Sequence, residues 1–503
     1  MDSRLESKVL RATVLNGLRL CVPPLVALCT SALIARTLQP TNMGVYSYAL
    51  WLASLLTSLA TLGLPTTLMK YVAEYKGRAD EETAGYIAGK LFRLQIIAIP
   101  VVLVAAFGVC LATSVVQVFS LLGLLVALLV VPQVLHQASV GTLSGAQEYS
   151  KTLNAGLWAA VVQIVGVAAV ALARGSVRSL LVVAFLASVV PAWLTSRAVV
   201  RFATPKSSLD SAPKQYARVQ PRVRRFWLAA SCTALIDLVI WQRSGLFFLK
   251  LFAPLPQLAL YAIAFSISDR LSTIGAIMTG ALMPLFSEIH ANMDHERLFA
   301  LYTKALKYVQ MVMLPACLFG IIVARPIVYL LCGRSYAEAA PVLQVVLASL
   351  AVTGLGPVVY ALILSVGKEM FLVRVGVPVA ALNVVLSLLL IPRGWALGAA
   401  IANGSVQVVD TVLALLCAHR IAGHFPLRSF ARICISGLAG AVPLLYICRT
   451  SMNDLGKLAF VIPAGLLYLL ALTAWREIGE KEFNLFRRLV SSAVARRASS
   501  NPP

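Results

Sequence analysis

Four charged residues lie inside long apolar stretches of the chain, where charge is expensive. Asp237 and Arg243 interrupt the apolar stretch that begins at residue 226. Asp269 and Arg270 interrupt the next one, which ends at residue 286. Both stretches are long enough to cross a bilayer as helices. A charge at membrane depth needs a partner or a wet setting. The pattern therefore predicts two helices that line a polar cavity through which the protein moves something charged.

The spacing of these residues leaves two interpretations open. Asp237 and Arg243 are about 9 Å apart along a helix axis and about 120° apart around it, so they are not an i, i+4 pair and each needs its own partner. Arg19 and Asp410 are further charges within apolar stretches. Either these charges contact a ligand, or they pair between helices and hold them in register.

The acidic members of this set have a further possible role. A lone acid in a transporter core can bind a coupling cation, such as H+ or Na+, and Asp237 is a candidate for it. Asp269 and Asp410 are treated in the same way, as candidates for ion coupling or for charge pairing. The basic residues Arg19, Arg243 and Arg270 are the candidate ligand-binding residues.

The composition of the 503-residue chain is that of a multi-pass membrane protein. It is 59% hydrophobic and 13% charged, whereas soluble proteins are roughly 25% charged. Long, uniformly apolar stretches form helices in lipid, because barrel strands are short and alternate. We therefore predict an all-α fold with about fourteen transmembrane helices, near residues 12–36, 44–69, 86–110, 115–141, 152–173, 178–200, 226–250, 258–286, 306–330, 338–365, 371–391, 395–419, 429–448 and 456–475.

The distribution of basic residues predicts the orientation. Placing the N-terminus in the cytoplasm puts most of the 43 Lys and Arg residues on the cytoplasmic side, together with the C-terminal tail. Topology therefore accounts for the net charge of +23, with some attraction to the head groups of anionic membrane lipids. Nucleic-acid binding is not expected, since no stretch is left for a folded basic domain.

A basic segment at 201–225 is the main break in composition. It contains Pro205, Pro213 and Pro221 among polar and charged residues, so we expect a flexible cytoplasmic connector. It divides the chain into a six-helix bundle at 1–200, the linker at 201–225, a second six-helix bundle at 226–420, and an extra helix pair with a basic cytoplasmic tail at 421–503.

The two predicted bundles resemble each other in sequence. GVYSYALWL at 44–52 matches ALYAIAFSI at 259–267, and LSGAQE at 143–148 matches LSVGKE at 364–369. The second match aligns Glu148 with Glu369. Two matches in the same order at similar offsets indicate an internal duplication. Six helices per repeat give parallel repeats, with a site expected between the halves.

Other chemistry has little support in the sequence. The His and Cys residues have no metal-ligand spacing, and His136 is best explained as a hydrogen-bonded group between helices. No phosphate-binding loop of the G-x-x-x-x-G-K-[ST] type is present, so ATP is not the expected driving force and no cofactor is predicted. The predicted outer loops are too short to hold the catalytic residues of a membrane polymerase or ligase, so we expect a transporter rather than an enzyme.

Several motifs, in order over about residues 10–420, resemble one known family. They are TLQPTNMGVYSYALWLASLLTSLATLGLPTTLMKYVAEY, LSGAQEYSKTLNAG, DLVIWQRSGLFFL, LYAIAFSISDRL with LMPLFSEI, and LLIPRGWALGAAIANG. The set resembles the polysaccharide (lipid-linked oligosaccharide) flippases of the multidrug/oligosaccharidyl-lipid/polysaccharide exporter superfamily. The C-terminal helix pair departs from the twelve-helix pattern, but fourteen-helix members, including lipid II flippases, also exist.

The resemblance implies a function and partners. It implies alternating access and export of an undecaprenyl-pyrophosphate-linked oligosaccharide across the bacterial inner membrane for polysaccharide biosynthesis, with other polysaccharide-export proteins as partners. Arg binds a pyrophosphate well through paired N–H donors, which suits Arg19, Arg243 and Arg270. A drug or metabolite/cation antiporter and a lipid II flippase remain the alternatives.

Overall fold

The chain forms helices that cross a membrane many times. The computed structural model describes residues 26–477, apart from 27, 79, 113–119, 204–210, 242–243, 280–281, 292–293, 424–425, 451 and 476. Nearly all of the described residues are helical, and no strand occurs among them. Ten stretches of described helix are long and apolar enough to span a bilayer. They account for every predicted span except the first, seventh and eighth, which confirms the all-α polytopic fold.

The helices of the first half are numbered from residue 28. They are α1 at 28–37, α2 Pro40–Thr61, α3 Leu64–Gly77, α4 Glu81–Ala112, α5 Ser120–Gly145, α6 Tyr149–Leu172 and α7 Val177–Ala203.

The second half and the C-terminal pair follow. Their helices are α8 Ser211–Ile240, α9 Gly245–Phe252, α10 Leu255–Thr279, α11 Leu282–Ala291, α12 His295–Ile322, α13 Ala324–Cys332, α14 Ala339–Thr353, α15 Gly356–Ser365, α16 Glu369–Ala422, α17 Leu427–Cys448, α18 Asp454–Ala459 and α19 Val461–Ala474. Helix α16 contains two predicted spans, joined at Trp395, whose φ of 46° and ψ of −123° are not helical.

Several predicted spans are interrupted rather than continuous. The seventh is divided between α8 and α9, with Trp241 in a turn after α8, and the ninth is divided between α12 and α13 at Val323. In the seventh, the carbonyl oxygen of Ile240 accepts hydrogen bonds from the side-chain amides of Asn403 (2.9 Å) and Gln407 (3.2 Å), and that of Val239 accepts one from Asn383 (2.7 Å). Amide side chains thus bond two carbonyls at the end of α8, which helps the helix to stop at membrane depth, where free backbone groups are costly.

The basic connector is more ordered than its composition predicts. Helix α8 begins at Ser211, so the prediction of a flexible segment is wrong for residues 211–225. Tyr216 and Val223, two turns apart on one face, are buried in a cluster with side chains of α3 and α4. This apolar packing stabilises a helix despite the proline at position 221, which removes one backbone hydrogen bond. Helix α8 therefore packs against the first half before it enters the second.

The internal repeat is present in the structure as a matching turn. After α5, the amide of Glu148 donates to the carbonyl of Leu143 (2.8 Å). After α15, the amide of Lys368 donates to the carbonyl of Ile363 (3.0 Å). Both turns are the hydrogen-bonded C-terminal cap in which an amide bonds a carbonyl five residues earlier. The same chain reversal therefore follows the same predicted span in each half.

The register of this repeat differs by one residue from the predicted alignment. The left-handed position of the cap is Gln147 in the first turn, with φ 59°, and Gly367 in the second, with φ 74°. Glu148 therefore corresponds to Lys368, not to Glu369. Cap geometry fixes the register, because one residue must adopt positive φ and the chain leaves the helix from there.

The two halves meet along α2 and α10. Gly44 of α2 lies so close to α10 that a Cβ atom there would be 2.1 Å from the carbonyl oxygen of Leu255. Tyr46 and Tyr261, the aligned residues of the first sequence match, are both buried in one shared core cluster. In the described part of the chain, the other main contact between the halves is the packing of α8 on α3 and α4.

The C-terminal pair packs against α12. The hydroxyl of Tyr468 on α19 donates to the carbonyl oxygen of Met311 (2.7 Å). Beyond α19, the buried Glu477 carboxylate binds Lys307 of α12 (2.8 Å) and Arg432 of α17 (3.0 Å). Burial acts to raise the pKa of Glu477, but hydrogen bonds from these two cations outweigh it and lower that pKa. The pair is therefore attached to α12 at two separate points.

Candidate functional site

Two of the predicted acidic residues come together in the second half. Asp237, on the last turns of α8, and Asp410, on α16, are close enough for their charges to interact. Asp410 is buried, and its Oδ2 accepts a hydrogen bond from the hydroxyl of Tyr360 on α15 (2.7 Å). The Tyr360 ring packs edge-on against Trp241, one turn beyond Asp237. Three helices thus build a site with two carboxylates, an exposed one at Asp237 and a buried, hydrogen-bonded one at Asp410.

The position of this site follows from the break in the seventh span. Ile236 and Ile240 pack on α16, where a Cβ at Gly376 would be 2.7 Å from Ile236 Cγ2. The amides of Asn403 and Gln407 bond the end of α8 directly beside this contact. The side chain of Asp237 is therefore held at a helix terminus in the bundle rather than midway along a continuous helix.

The remaining predicted residues are distributed as follows. Asp269 and Arg270 are adjacent on α10, and both are half-buried. The backbone oxygen of Asp269 accepts hydrogen bonds from the hydroxyls of Ser272 and Thr273. Arg19 and Arg243 lie outside the described residues. The structure thus brings Asp237 and Asp410 together, and it places Asp269 and Arg270 on the helix that forms the contact with the first half.

A cavity of about 620 Å³ lies in the first half, between α1, α3, α5, α6 and α7. Its described lining includes His136, Gln137 and Gln163 together with small residues and with apolar ones such as Met69 and Val140. His136 Nδ1 is 3.3 Å from the hydroxyl of Thr195 on α7, which confirms the prediction of a hydrogen-bonded group between helices. Its ring also faces the cavity, which the sequence did not indicate.

The end of the molecule that holds Arg36 is closed between the halves. Nε of Arg36, at the end of α1, donates to the carbonyl oxygen of Leu331 (3.1 Å), and its Nη2 donates to that of Leu330. Both carbonyls belong to the last turn of α13, where a cation also interacts favourably with the helix dipole. In return, the hydroxyl of Tyr336 donates to the carbonyl oxygen of Leu38 (2.8 Å).

Sequence reasoning missed two kinds of residue in these sites. The first kind is the polar amide inside an apolar helix, at Asn383, Asn403 and Gln407. These amides are as visible in the sequence as the charges, and a buried amide also needs a hydrogen-bond partner. Arg36 and Tyr336 lie at helix ends, where polar residues are ordinary. Nothing in their spacing indicates that they meet.

The helical architecture and these sites define a class of protein. Two helical bundles in contact, a broken helix beside a buried carboxylate, and a cavity with polar groups inside one bundle are typical of a multi-pass membrane transporter. The described residues contain no group of three or more His, Cys, Asp or Glu placed to hold a metal ion.

Comparison with known families identifies the particular group. Residues 13–290, more than half of the chain, match the model of the polysaccharide biosynthesis protein family, so the chain belongs to that family. Residues 270–464 match a second family model, that of the lipid II flippase MurJ. A search of curated proteins finds no match.

Solved structures share the fold at low sequence identity. A lipid II flippase MurJ in an inward closed conformation superposes with a TM-score of 0.71 at 11% identity, covering 92% of this chain and 99% of that one. An inward-facing multidrug resistance MATE family transporter of the MOP superfamily gives 0.63 at 14% identity, covering 81% and 97%. A MOP superfamily transporter from Pyrococcus furiosus gives 0.55 at 15% identity, covering 78% and 97%. The chain therefore has the fold of the MOP superfamily, and its family and structural neighbours are transporters and flippases rather than enzymes.

Proposed function

We propose that this protein flips an undecaprenyl-pyrophosphate-linked oligosaccharide from the inner to the outer leaflet of the bacterial inner membrane, for polysaccharide biosynthesis. The observation that carries the proposal is the match of residues 13–290 to the polysaccharide biosynthesis family. That match covers the first half and α8 to α10, and so includes all four of the charges Asp237, Arg243, Asp269 and Arg270, as well as the contact between α2 and α10.

The charged residues have separate roles in this proposal. Arg19, Arg243 and Arg270 bind the pyrophosphate, whose two phosphate groups suit the planar guanidinium fork. Fixed positive charge is required, because moving an anion out of water costs several kcal/mol that only a matched site offsets. Asp237 and Asp410 take up the coupling ion, H+ or Na+, since two neighbouring carboxylates favour a shared proton or a bound cation. Asp269 pairs with a neighbouring charge.

Alternating access follows from the contacts between the halves. With the N-terminus in the cytoplasm, the Arg36 end faces the periplasm and is closed by the hydrogen bonds of Arg36 and Tyr336. Substrate loading then takes place from the cytoplasmic side. Rupture of these bonds and separation of α2 from α10 at that end would release the glycan to the periplasm. The short α9 and α13, next to this end, would move with it.

The proposal is tested by reconstitution. Purified protein in proteoliposomes is given a fluorescent undecaprenyl-pyrophosphate-linked oligosaccharide, and the fraction accessible from outside is followed over time. We expect flipping that depends on protein and accelerates with a proton or sodium gradient. Protein-free liposomes and the Arg270→Ala variant provide the controls. Transport of a cationic drug but not of the lipid-linked glycan would instead support a drug or metabolite/cation antiporter.

A lipid II flippase is the second candidate, and a specific observation favours it. Residues 270–464, which include α17, α18 and the first residues of α19, match the MurJ family model. The same proteoliposomes loaded with lipid II separate the two candidates. Faster flipping of lipid II than of an oligosaccharide-linked carrier would favour the second.

A further inference from the structure

The cavity of the first half contains hydrogen-bonding groups without the charges that a pyrophosphate site needs. Its volume of about 620 Å³ lies within the roughly 300–1,000 Å³ of small-ligand pockets. None of its described lining residues is Asp, Glu, Lys or Arg. The polar groups among them are amides, hydroxyls and one imidazole, contributed by Thr66, His136, Gln137, Ser144, Thr152 and Gln163.

Two of these side chains are oriented by bonds within their own bundle. Gln163 Nε2 is 3.4 Å from the hydroxyl of Thr30 on α1. His136 is held at the hydroxyl of Thr195 on α7. Gln137, in contrast, is exposed to the open space of the cavity. Fixed and accessible polar groups therefore line the cavity from both α5 and α6.

The face of α6 that carries Gln163 also lines the cavity with small residues. A Cβ atom at Gly156 would meet nothing within 4 Å, so this position opens onto free space. Ala159 and Ala160 follow on the same helix and also line the cavity. Small side chains allow a flat, rigid ligand to approach the helix closely.

This chemistry selects a class of ligand. An amide or hydroxyl both donates and accepts hydrogen bonds, as does each hydroxyl of a sugar. An apolar lipid tail would exclude water from the accessible amide of Gln137, which is costly. A phosphate would find no fixed positive charge among the described lining residues. We infer that the cavity binds the neutral, hydroxyl-rich sugar part of the transported lipid head group, apart from the residues that bind its pyrophosphate; this inference rests on the proposed function.

The test separates sugar recognition from pyrophosphate recognition. The protein in nanodiscs is titrated calorimetrically with geranyl pyrophosphate, either bare or joined to N-acetylglucosamine or galactose. We expect at least one sugar to tighten binding by about tenfold, as two or three net hydrogen bonds would supply. Gly156→Leu fills the cavity and should abolish this gain while leaving affinity for the bare probe unchanged. Gly465→Leu on α19, where a Cβ also meets nothing within 4 Å, is the matched control.

Each outcome bears on the inference. Gln163→Leu removes the amide without adding bulk, so it should reduce the tightening of binding that the sugar provides. This variant tests the inference even if Gly156→Leu perturbs the fold. Binding of the bare probe with no gain from either sugar would overturn the inference and leave the proposed function standing. If the sugar increased the affinity of Gly156→Leu as much as that of the unmodified protein, the inference would also be overturned. No binding of any probe by the unmodified protein would overturn both.

Discussion

The hydroxyl of Tyr336 donates a hydrogen bond to the carbonyl oxygen of Leu38, 2.8 Å away, although the two residues are 298 positions apart in sequence. Arg36 makes the reciprocal contact, from the first half to the last turn of α13. The two contacts join the halves at one end by side chains that bind backbone oxygens. Backbone acceptors cannot be lost by substitution, so the strength of this closure depends on Arg36 and Tyr336.

Removing both donors should open this end more often. Each such hydrogen bond contributes about 1 kcal/mol, and one to a charged donor somewhat more, so Arg36→Ala with Tyr336→Phe shifts the equilibrium by roughly tenfold or more. Electron–electron distance measurements between spin labels at Asn42 and Ser335, both exposed, should show a larger population at long distance. The labels require replacement of the exposed Cys29 and Cys232 by serine.

The same double variant has an internal control. Thr41 is also exposed at this end, so Thr41→Ala should leave the distance distribution unchanged. An unaltered distribution in the Arg36→Ala, Tyr336→Phe variant would show that packing of α2 on α10 alone keeps this end closed.

The orientation is tested by labelling. The positive-inside rule places the segment around Ser207 and the tail around Ser499 in the cytoplasm. Cysteines at either position should react with a membrane-impermeant maleimide only after the cells are permeabilised. A cysteine at Ser335 should react in intact cells. External labelling at Ser207 or Ser499 would reverse the orientation and with it the direction of transport.

The sequence was sufficient to predict the helices but not their interruptions. Long apolar stretches identify spans because every backbone group in lipid must bond within its helix. The end of α8 at Ile240 depends on amides from Asn383, Asn403 and Gln407, which lie more than a hundred residues away. Such a break is a property of the tertiary contact, so no local pattern around Ile240 predicts it.

The candidate site was predicted in part for a similar reason. Charge inside apolar stretches marked Asp237 and Asp410 as unusual, and the structure brings them together. The partner of Asp410, Tyr360, is an ordinary aromatic residue in a membrane helix, and its contact with Asp410 depends on how α15 packs on α16. A charged residue in an apolar stretch indicates that a partner is needed, but the fold determines which residue that partner is.

The attachment of the C-terminal pair should depend on Glu477. Glu477→Gln leaves Lys307 and Arg432 without their carboxylate, which we expect to cost roughly 2 kcal/mol because the pair is only partly screened by solvent. Thermal unfolding in detergent should occur a few degrees lower than in the wild type. The partly exposed Glu148–Lys151 pair on the surface is the matched comparison, and Glu148→Gln should have a much smaller effect.

Acid should weaken the same attachment. The pKa of Glu477 is lowered in the folded protein from its usual 4.5. Its stabilising contribution is therefore complete above the unfolded value and is lost as the pH falls through the lower folded value. The difference in melting temperature between wild type and Glu477→Gln should be constant from pH 6 to pH 8 and shrink below about pH 4.5. A difference that grew toward low pH would contradict this role.

The pair of carboxylates should determine ion coupling. Asp237→Asn or Asp410→Asn should leave some downhill flipping but remove its acceleration by a proton or sodium gradient, because the site no longer takes up a cation. Tyr360→Phe removes the hydrogen bond to Asp410 while keeping the ring against Trp241. It should shift the pH dependence of gradient-driven transport without abolishing it. Full gradient dependence in both Asn variants would exclude these residues from coupling.

Arg270 and Arg243 provide the most direct test of the pyrophosphate assignment. Each Arg→Ala variant should fold and insert but fail to export, so that cells accumulate the lipid-linked repeat in the inner leaflet. Lys at either position should restore part of the activity, because the charge returns without the planar fork that binds two phosphate oxygens. This accumulation is measured by thin-layer analysis of lipid that has been labelled in one leaflet only. The variants are compared at matched protein levels.

A purely structural role for these arginines makes a different prediction. If Arg270 only pairs with an acid such as Asp237, exchanging the two residues keeps an ion pair between the same positions and should restore export. If the substrate contacts Arg270 itself, the exchange puts a carboxylate where the pyrophosphate binds, and like-charge repulsion keeps export at the level of Arg270→Ala. The double exchange should therefore remain inactive although it inserts normally. Normal export by both Ala variants would remove Arg243 and Arg270 from the substrate site.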